Sequence, residues 1–149
     1  MQALRYLSGE VAHFQHVTWH WQRLMGQPLT DTNGRVMTKL SIDDAKHAVA
    51  LWRRHARVVE HRAKHPPNLR AWLCIHRYEA SWTDGGAPYY GGLQMDITFQ
   101  RHYAARLLRT KGTANHWSPL EQIWVAEKAR RSGRGFYPWP NTARYCGLI

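Results

Sequence analysis

The chain reads as an α+β protein, mainly helical, with a helical segment over residues 1–66 in front of a second domain over residues 67–149. Three observations predict this. Apolar side chains recur at helical spacing along two long stretches of the first part. The pair Pro66-Pro67 then interrupts any helix, because neither proline can continue one and the pair is stiff. Beyond it, short helical patterns alternate with turn chemistry, and the run Tyr89 to Met95 reads as a short strand or hairpin arm.

The first helix is expected over residues 10–25, with Val11, Phe14, Val17, Trp21 and Leu24 on one stripe, and Gly26-Gln27-Pro28 ends it. The segment through Asn33-Gly34 reads as loop. A second helix starts at Ser41, which caps it with Asp44 at the third helical position, and its stripe through Val49, Trp52 and Val59 runs to about Lys64. Each stripe needs a surface to cover, since helices of this length gain little stability alone. The two are expected to pack on each other, or on the back of residues 67–149 as a brace.

In the second part, Asn68 can cap a helix through about Ala80, and Thr83-Asp84-Gly85-Gly86-Ala87-Pro88 is turn chemistry throughout. Gly91 and Gly92 let backbone approach a ligand or a neighbouring strand. Further helices are expected over residues 96–110 and 119–132, the latter broken by Gly133-Arg134-Gly135. Phe136-Tyr137-Pro138-Trp139-Pro140 is an aromatic, proline-rich cover that cannot be regular helix.

Composition narrows the function. At 149 residues the chain can bury a real core, and eight Trp with seven Tyr supply more aromatic surface than that core needs. Some aromatics are therefore expected to be exposed in a cleft, where they suit sugar rings, while others pack the helices. Twenty-one Lys and Arg against ten Asp and Glu give a formal charge of +11, which favours a polyanionic neighbour. Nucleic acid and anionic wall polymers fit that charge equally, but no nucleic-acid motif occurs and the basic residues run from Arg5 to Arg144 without forming a block. No specific nucleic-acid partner is expected. No stretch approaches the ~20 apolar residues of a membrane span. The opening residues Met1 to Ser8 lack the apolar run of a signal peptide, so export would need another route unless the chain is trimmed. His13, His16 and His20 have a spacing that zinc could use, yet no HExxH glutamate or nearby cysteine accompanies them, and no metal is expected.

Glu79 carries the chemistry. It ends a short apolar helix, with Trp72, Tyr78 and Trp82 near it in sequence and a glycine turn following, an arrangement that suits a glycoside-cleaving acid. Apolar walls favour the protonated form of a carboxyl, which such an acid must hold.

The order of four segments extends the reading. Trp72-Leu73-Cys74-Ile75-His76-Arg77-Tyr78-Glu79-Ala80-Ser81-Trp82 is followed by Tyr89-Tyr90-Gly91-Gly92-Leu93-Gln94-Met95-Asp96, by Glu121 to Glu127, and by Trp139-Pro140 with Cys146-Gly147-Leu148. This order resembles the catalytic domain of the resuscitation-promoting factors, a trimmed lysozyme-like fold related to the soluble lytic transglycosylases, over residues 67–149. The resemblance implies a lysozyme-like domain with a small β-hairpin that cleaves the β-1,4 bond between N-acetylmuramic acid and N-acetylglucosamine in peptidoglycan. It also implies an extracellular or wall-associated monomer without cofactor.

Within that resemblance Glu79 is the catalytic acid. The muramic C6 hydroxyl attacks the anomeric carbon and Glu79 takes its proton back, leaving a 1,6-anhydro product; hydrolysis by water is the alternative. A lysozyme-type mechanism would need a second carboxylate about 5–9 Å away, and Asp84 and Asp96 are the nearest in sequence. Tyr90, Gln94, Asp96, Gln122 and Trp139 match substrate-binding positions, although Asp96 also reads as a helix cap and Gln94 and Gln122 each as a structural bond to backbone. The family usually bridges two cysteines, which implies a Cys74–Cys146 disulfide and an oxidising compartment; the even count alone equally fits free, buried thiols. Here Cys74 lies five residues before Glu79 where the family places it directly before, and the loop from Glu79 to Gly91 is shorter than usual. Two other classes fit the composition: a wall-binding module that has lost activity, and a basic nucleic-acid-associated protein, which salt-dependent DNA binding would reveal.

Overall fold

The structure is a computed structural model describing residues 2–32, 34 and 36–149. It divides into two compact units, Met1–His65 and Pro66–Ile149. Asn33 of the expected loop lies outside the described residues.

The first unit is built from α1 (Gln2–Leu24) and α2 (Ile42–Lys64), which pack on each other. Ser41 caps α2 as expected, its side chain accepting from the Asp44 N–H at 3.1 Å. On α2 the buried positions Ala45, Val49, Ala56, Val59 and Ala63 keep a three-four spacing, and the alanines let α1 approach closely. Val11, Ala48 and Val49 form the core, with Leu7, Phe14, Met37 and Trp52 against it.

The expected stripe on α1 is only half right. The face that is buried carries Val11, Thr18 and Gln22, and the stripe had moved off it by Val17. Two polar residues hide this face in the sequence, and both are satisfied where they sit. Thr18 Oγ1 donates to the Phe14 carbonyl at 2.7 Å. Gln22 clasps Thr30 with two bonds of 2.7 and 2.9 Å, and the Thr30 hydroxyl in turn meets His55 Nε2 at 2.8 Å.

The second unit contains α3 (Leu69–Glu79), α4 (Ile97–Tyr103), α5 (Ala105–Lys111), α6 (Pro119–Ala129) and α7 (Pro140–Tyr145). Its core is Trp72, Ile75, Leu93, Met95, Leu107, Ile123 and neighbours. The expected α+β class with a β-hairpin is corrected: the described residues form no strand or sheet, and the protein is all-α. Tyr90 and Met95 do exchange both backbone bonds, at 3.0 and 2.9 Å, but as one isolated bridge. The pairing has nowhere to spread. Pro88 has no N–H to donate on one side, and on the other Asp96 already caps α4.

Two further expectations change. Asn68 sits at the N-cap of α3 in the left-handed region (φ 61) without capping it, and its side-chain amide reaches Glu127 at 2.8 Å instead. The single helix expected over residues 96–110 breaks at Ala104 (φ −145, ψ 40), with no Pro or Gly to announce it. Packing makes the break: Tyr103, Ala104 and Leu107 are all buried, and Gln100 ties Met95 to Ala114 by bonds of 2.9 and 3.1 Å. The capping box of Ser118 and Glu121 starts α6, which ends in a wide turn over Arg130–Arg134.

Candidate active site

Glu79 is the last residue of α3, and α7 brings Thr142 to it. The Thr142 hydroxyl donates to Glu79 Oε1 at 2.5 Å. A disulfide between Cys74 and Cys146, with Cα atoms 6.1 Å apart, joins the same two elements. Cys74 precedes Glu79 on α3 and Cys146 directly follows α7, so the bridge staples the carboxyl to its hydroxyl partner. Tyr78 and Tyr145 add a ring contact of 5.2 Å across the same seam.

Glu79 opens into a cavity of about 290 Å³ lined also by Tyr89, Gln94, Trp139, Pro140 and Thr142. A larger chamber of about 420 Å³ shares Tyr89, Gln94, Pro138 and Trp139 with it and continues past Asp96, Phe99 and His102 to Arg134. The shared walls make one groove, acidic at Glu79 and basic at Arg134.

Trp139 is the central wall. It is 5% exposed, its indole N–H donates to the Leu93 carbonyl at 2.6 Å, and its ring meets Trp72 and Phe99 edge-on at 5.1 and 5.7 Å. Gln94 lines both chambers. Its Nε2 donates to Asp84 Oδ2 at 2.8 Å and to the Gly91 carbonyl at 3.0 Å. The carboxylate partner fixes which end of the amide is nitrogen and leaves Oε1 as the atom with accepting capacity to spare. Asp96 lines the larger chamber while its Oδ1 accepts from the Phe99 N–H at 2.7 Å, so it serves as helix cap and as wall.

Three expected positions are corrected. Gln122 is wholly buried off the groove: its Oε1 accepts from the Gly92 N–H at 2.8 Å and its Nε2 donates to the Trp82 and Trp117 carbonyls, both at 3.0 Å. Both amide hydrogens are spent inside the fold and no surface is left for a sugar, so the structural alternative is the arrangement found. Tyr90 packs against the core, and its neighbour Tyr89, half exposed, lines both chambers. Successive side chains of extended backbone face opposite ways, so a displacement of one residue exchanges wall for core. The aromatics expected around Glu79 also lie elsewhere. Trp72 is buried with its indole N–H on Glu127 at 2.9 Å, and Trp82 stacks on His76 at 3.8 Å. That stack explains Gly92, where a Cβ would overlap both rings. The close approach expected at this glycine is made by side chains of the fold.

Thr142, Tyr89, His102 and Arg134 belong to the groove and were not singled out by sequence. Tyr89 had a signal in the Tyr89-Tyr90 pair. Thr142 had none, since the contact spans 63 residues. His13, His16 and His20 are exposed on α1, and no helix among the described residues is long and apolar enough to cross a membrane. No family model, curated protein or solved structure matches the chain.

Proposed function

We propose that this groove binds peptidoglycan glycan strands and cleaves the β-1,4 bond between N-acetylmuramic acid and N-acetylglucosamine, with Glu79 as acid and then base, as the resemblance to the resuscitation-promoting factors implies. One observation carries the reading: a carboxyl with a single side-chain partner opens into a groove walled by Tyr89, Trp139 and an oriented amide. Such walls suit a sugar, whose ring faces stack on aromatics and whose N-acetyl N–H meets an acceptor such as Gln94 Oε1.

In the first step Glu79 gives its proton to the leaving glycosidic oxygen as the anomeric C–O bond breaks. The muramic C6 oxygen then bonds to the anomeric carbon and returns its proton to Glu79, so acid and base are one group and no water is consumed. The partners of Asp84 favour this route over hydrolysis. Asp84 spends Oδ1 on the Gly86 N–H and Oδ2 on Gln94, and among the described residues lining the smaller chamber Glu79 is the one acid. The disulfide is consistent with the extracellular or wall-associated setting such a substrate requires.

Digestion of purified peptidoglycan followed by mass spectrometry tests the reading. The expected products are anhydromuropeptides, lighter by one water than hydrolytic ones. Glu79→Gln should lower the rate by about a hundred- to ten-thousand-fold while the protein stays folded. A folded variant that retains the wild-type rate would sink the assignment.

A further inference from the structure

The chamber away from Glu79 has a cationic end. Arg134 lies between two glycines of positive φ, Gly133 (φ 107) and Gly135 (φ 58), in the wide turn that ends α6. The Gly135 N–H reaches back to the Arg130 carbonyl at 3.2 Å, and Ser132 Oγ closes the turn on the Ala129 carbonyl at 2.6 Å. Here the turn separates three neighbouring arginines. Arg130 and Arg131 spend their charge on Glu127 at 2.9 and 3.2 Å. Arg134 is turned the other way, its guanidinium 5.8 Å from the Phe99 ring centre and 5.9 Å from that of Tyr103, and both rings line the chamber with it. It has no carboxylate partner among the described residues. Asp96, the one acid among the described residues on that wall, is the cap of α4, its Oδ1 accepting from the Phe99 N–H.

Arg134 also hydrogen-bonds the Tyr103 hydroxyl, and the remaining donors of the guanidinium can meet a planar anion. His102 lines the same chamber and adds a ring nitrogen. We propose that Arg134, with His102, forms an anion subsite that takes a carboxylate carried by the glycan strand, and so distinguishes muramyl strands from neutral oligosaccharides. The inference rests on the glycan reading above and names the group that the far end of the groove recognises. Two sources carry this chemistry: the lactyl carboxylate of muramic acid once its peptide is removed, and the carboxylates of an attached stem peptide.

The test uses the full chain carrying Glu79→Gln, so that ligands survive, and calorimetric titration with a neutral chito-oligosaccharide, peptide-bearing muramyl strands and amidase-stripped strands. Adding Arg134→Gln should weaken binding of the carboxylate-bearing strands by about tenfold, the scale of one charge-assisted contact in a partly solvated site. Chito-oligosaccharide binding should be unchanged, and Arg134→Lys, which keeps the charge without the planar fork, should keep only part of the preference. An effect on stripped strands would assign the lactyl carboxylate; an effect confined to peptide-bearing strands would assign the peptide, and either supports the subsite. An equal effect on neutral and charged ligands, or none on any, would overturn it while leaving the glycan reading intact. Binding of no glycan at all would overturn both.

Discussion

Replacing Glu127 with alanine should unfold the second unit at a much lower temperature. Glu127 is wholly buried on α6, and its Oε1 accepts from Asn68 at 2.8 Å, Trp72 Nε1 at 2.9 Å and Arg130 Nε at 2.9 Å. Its Oε2 takes a second Arg130 nitrogen at 3.2 Å and Arg131 at 3.2 Å. Truncation strands the indole N–H of Trp72, which no water reaches, and leaves Arg130 without a carboxylate while its side chain is only 30% exposed. Breaking a buried pair costs about 3–5 kcal/mol, and partial access of water to the arginines places the loss near the lower end, ~3 kcal/mol. For a domain of this size that corresponds to a fall in Tm of roughly 12–24 °C. Thermal melts followed by circular dichroism, with the Trp72 indole proton followed by NMR, measure it.

The pH dependence of the same site has a definite sign. Burial pushes the Glu127 carboxyl up, but the bonds from Arg130, Asn68 and Trp72 outweigh it and hold the carboxyl below its ordinary value. A group depressed in the folded state contributes stability that is present above its unfolded value, about 4.3, and is lost as pH falls through the folded one. Wild type should therefore lose more stability between about pH 5 and acid than Glu127→Gln does. A melt of the alanine variant within ~3 °C of wild type, or parallel acid profiles, would refute the reasoning.

Reducing the Cys74–Cys146 bridge, which closes a separation of 72 residues, should cost roughly 4 kcal/mol in the chain-entropy view and also lower the cleavage rate, because α3 and α7 carry Glu79 and Thr142; unchanged melting and rate after reduction would count against the staple. Thr142→Val should lower kcat by about tenfold with little change in KM, the size of one positioning hydrogen bond in the transition state, and Thr142→Ser should restore it; equal rates for all three would remove Thr142 from the site.

Local chemistry was legible and long-range chemistry was not. Ser41, the turn before Pro88, the break at Gly133 and the end of α2 ahead of Pro66 are decided by residues within a few positions of one another, and each stands where the pattern places it. The break at Ala104 depends on Gln100 reaching Ala114, and the face of α1 on Gln22 finding Thr30; neither partner is adjacent in sequence. Glu79 could be singled out because its helix end and turn are local. Its hydroxyl partner could not be, since Thr142 arrives from the far end of the chain, whereas Trp139 and Gln94 were named through the order of the segments. Gln94 and Gln122 show the limit most plainly. The two are alike in composition, but one lines the groove and the other is wholly buried with its amide bonded inside the core.

The partners of the acids in the second unit separate their roles more sharply than burial does. Glu127 and Glu121 face ammonium or guanidinium groups, which can only donate and so demand an ionised carboxylate. Asp84 accepts from a backbone N–H on Oδ1 and an amide NH₂ on Oδ2, and Asp96 accepts from a backbone N–H on Oδ1. The Thr142 hydroxyl differs, because it can donate to ionised Glu79 and accept from the protonated form without losing the contact. Glu79 is thus the carboxyl in this unit whose described side-chain partner is a hydroxyl that can both donate and accept, and it is also the acid on the smaller chamber. An acid that must give a proton to a leaving oxygen and take one back from a hydroxyl needs that tolerance. A residue fixed as an anion by its surroundings could serve only as a base.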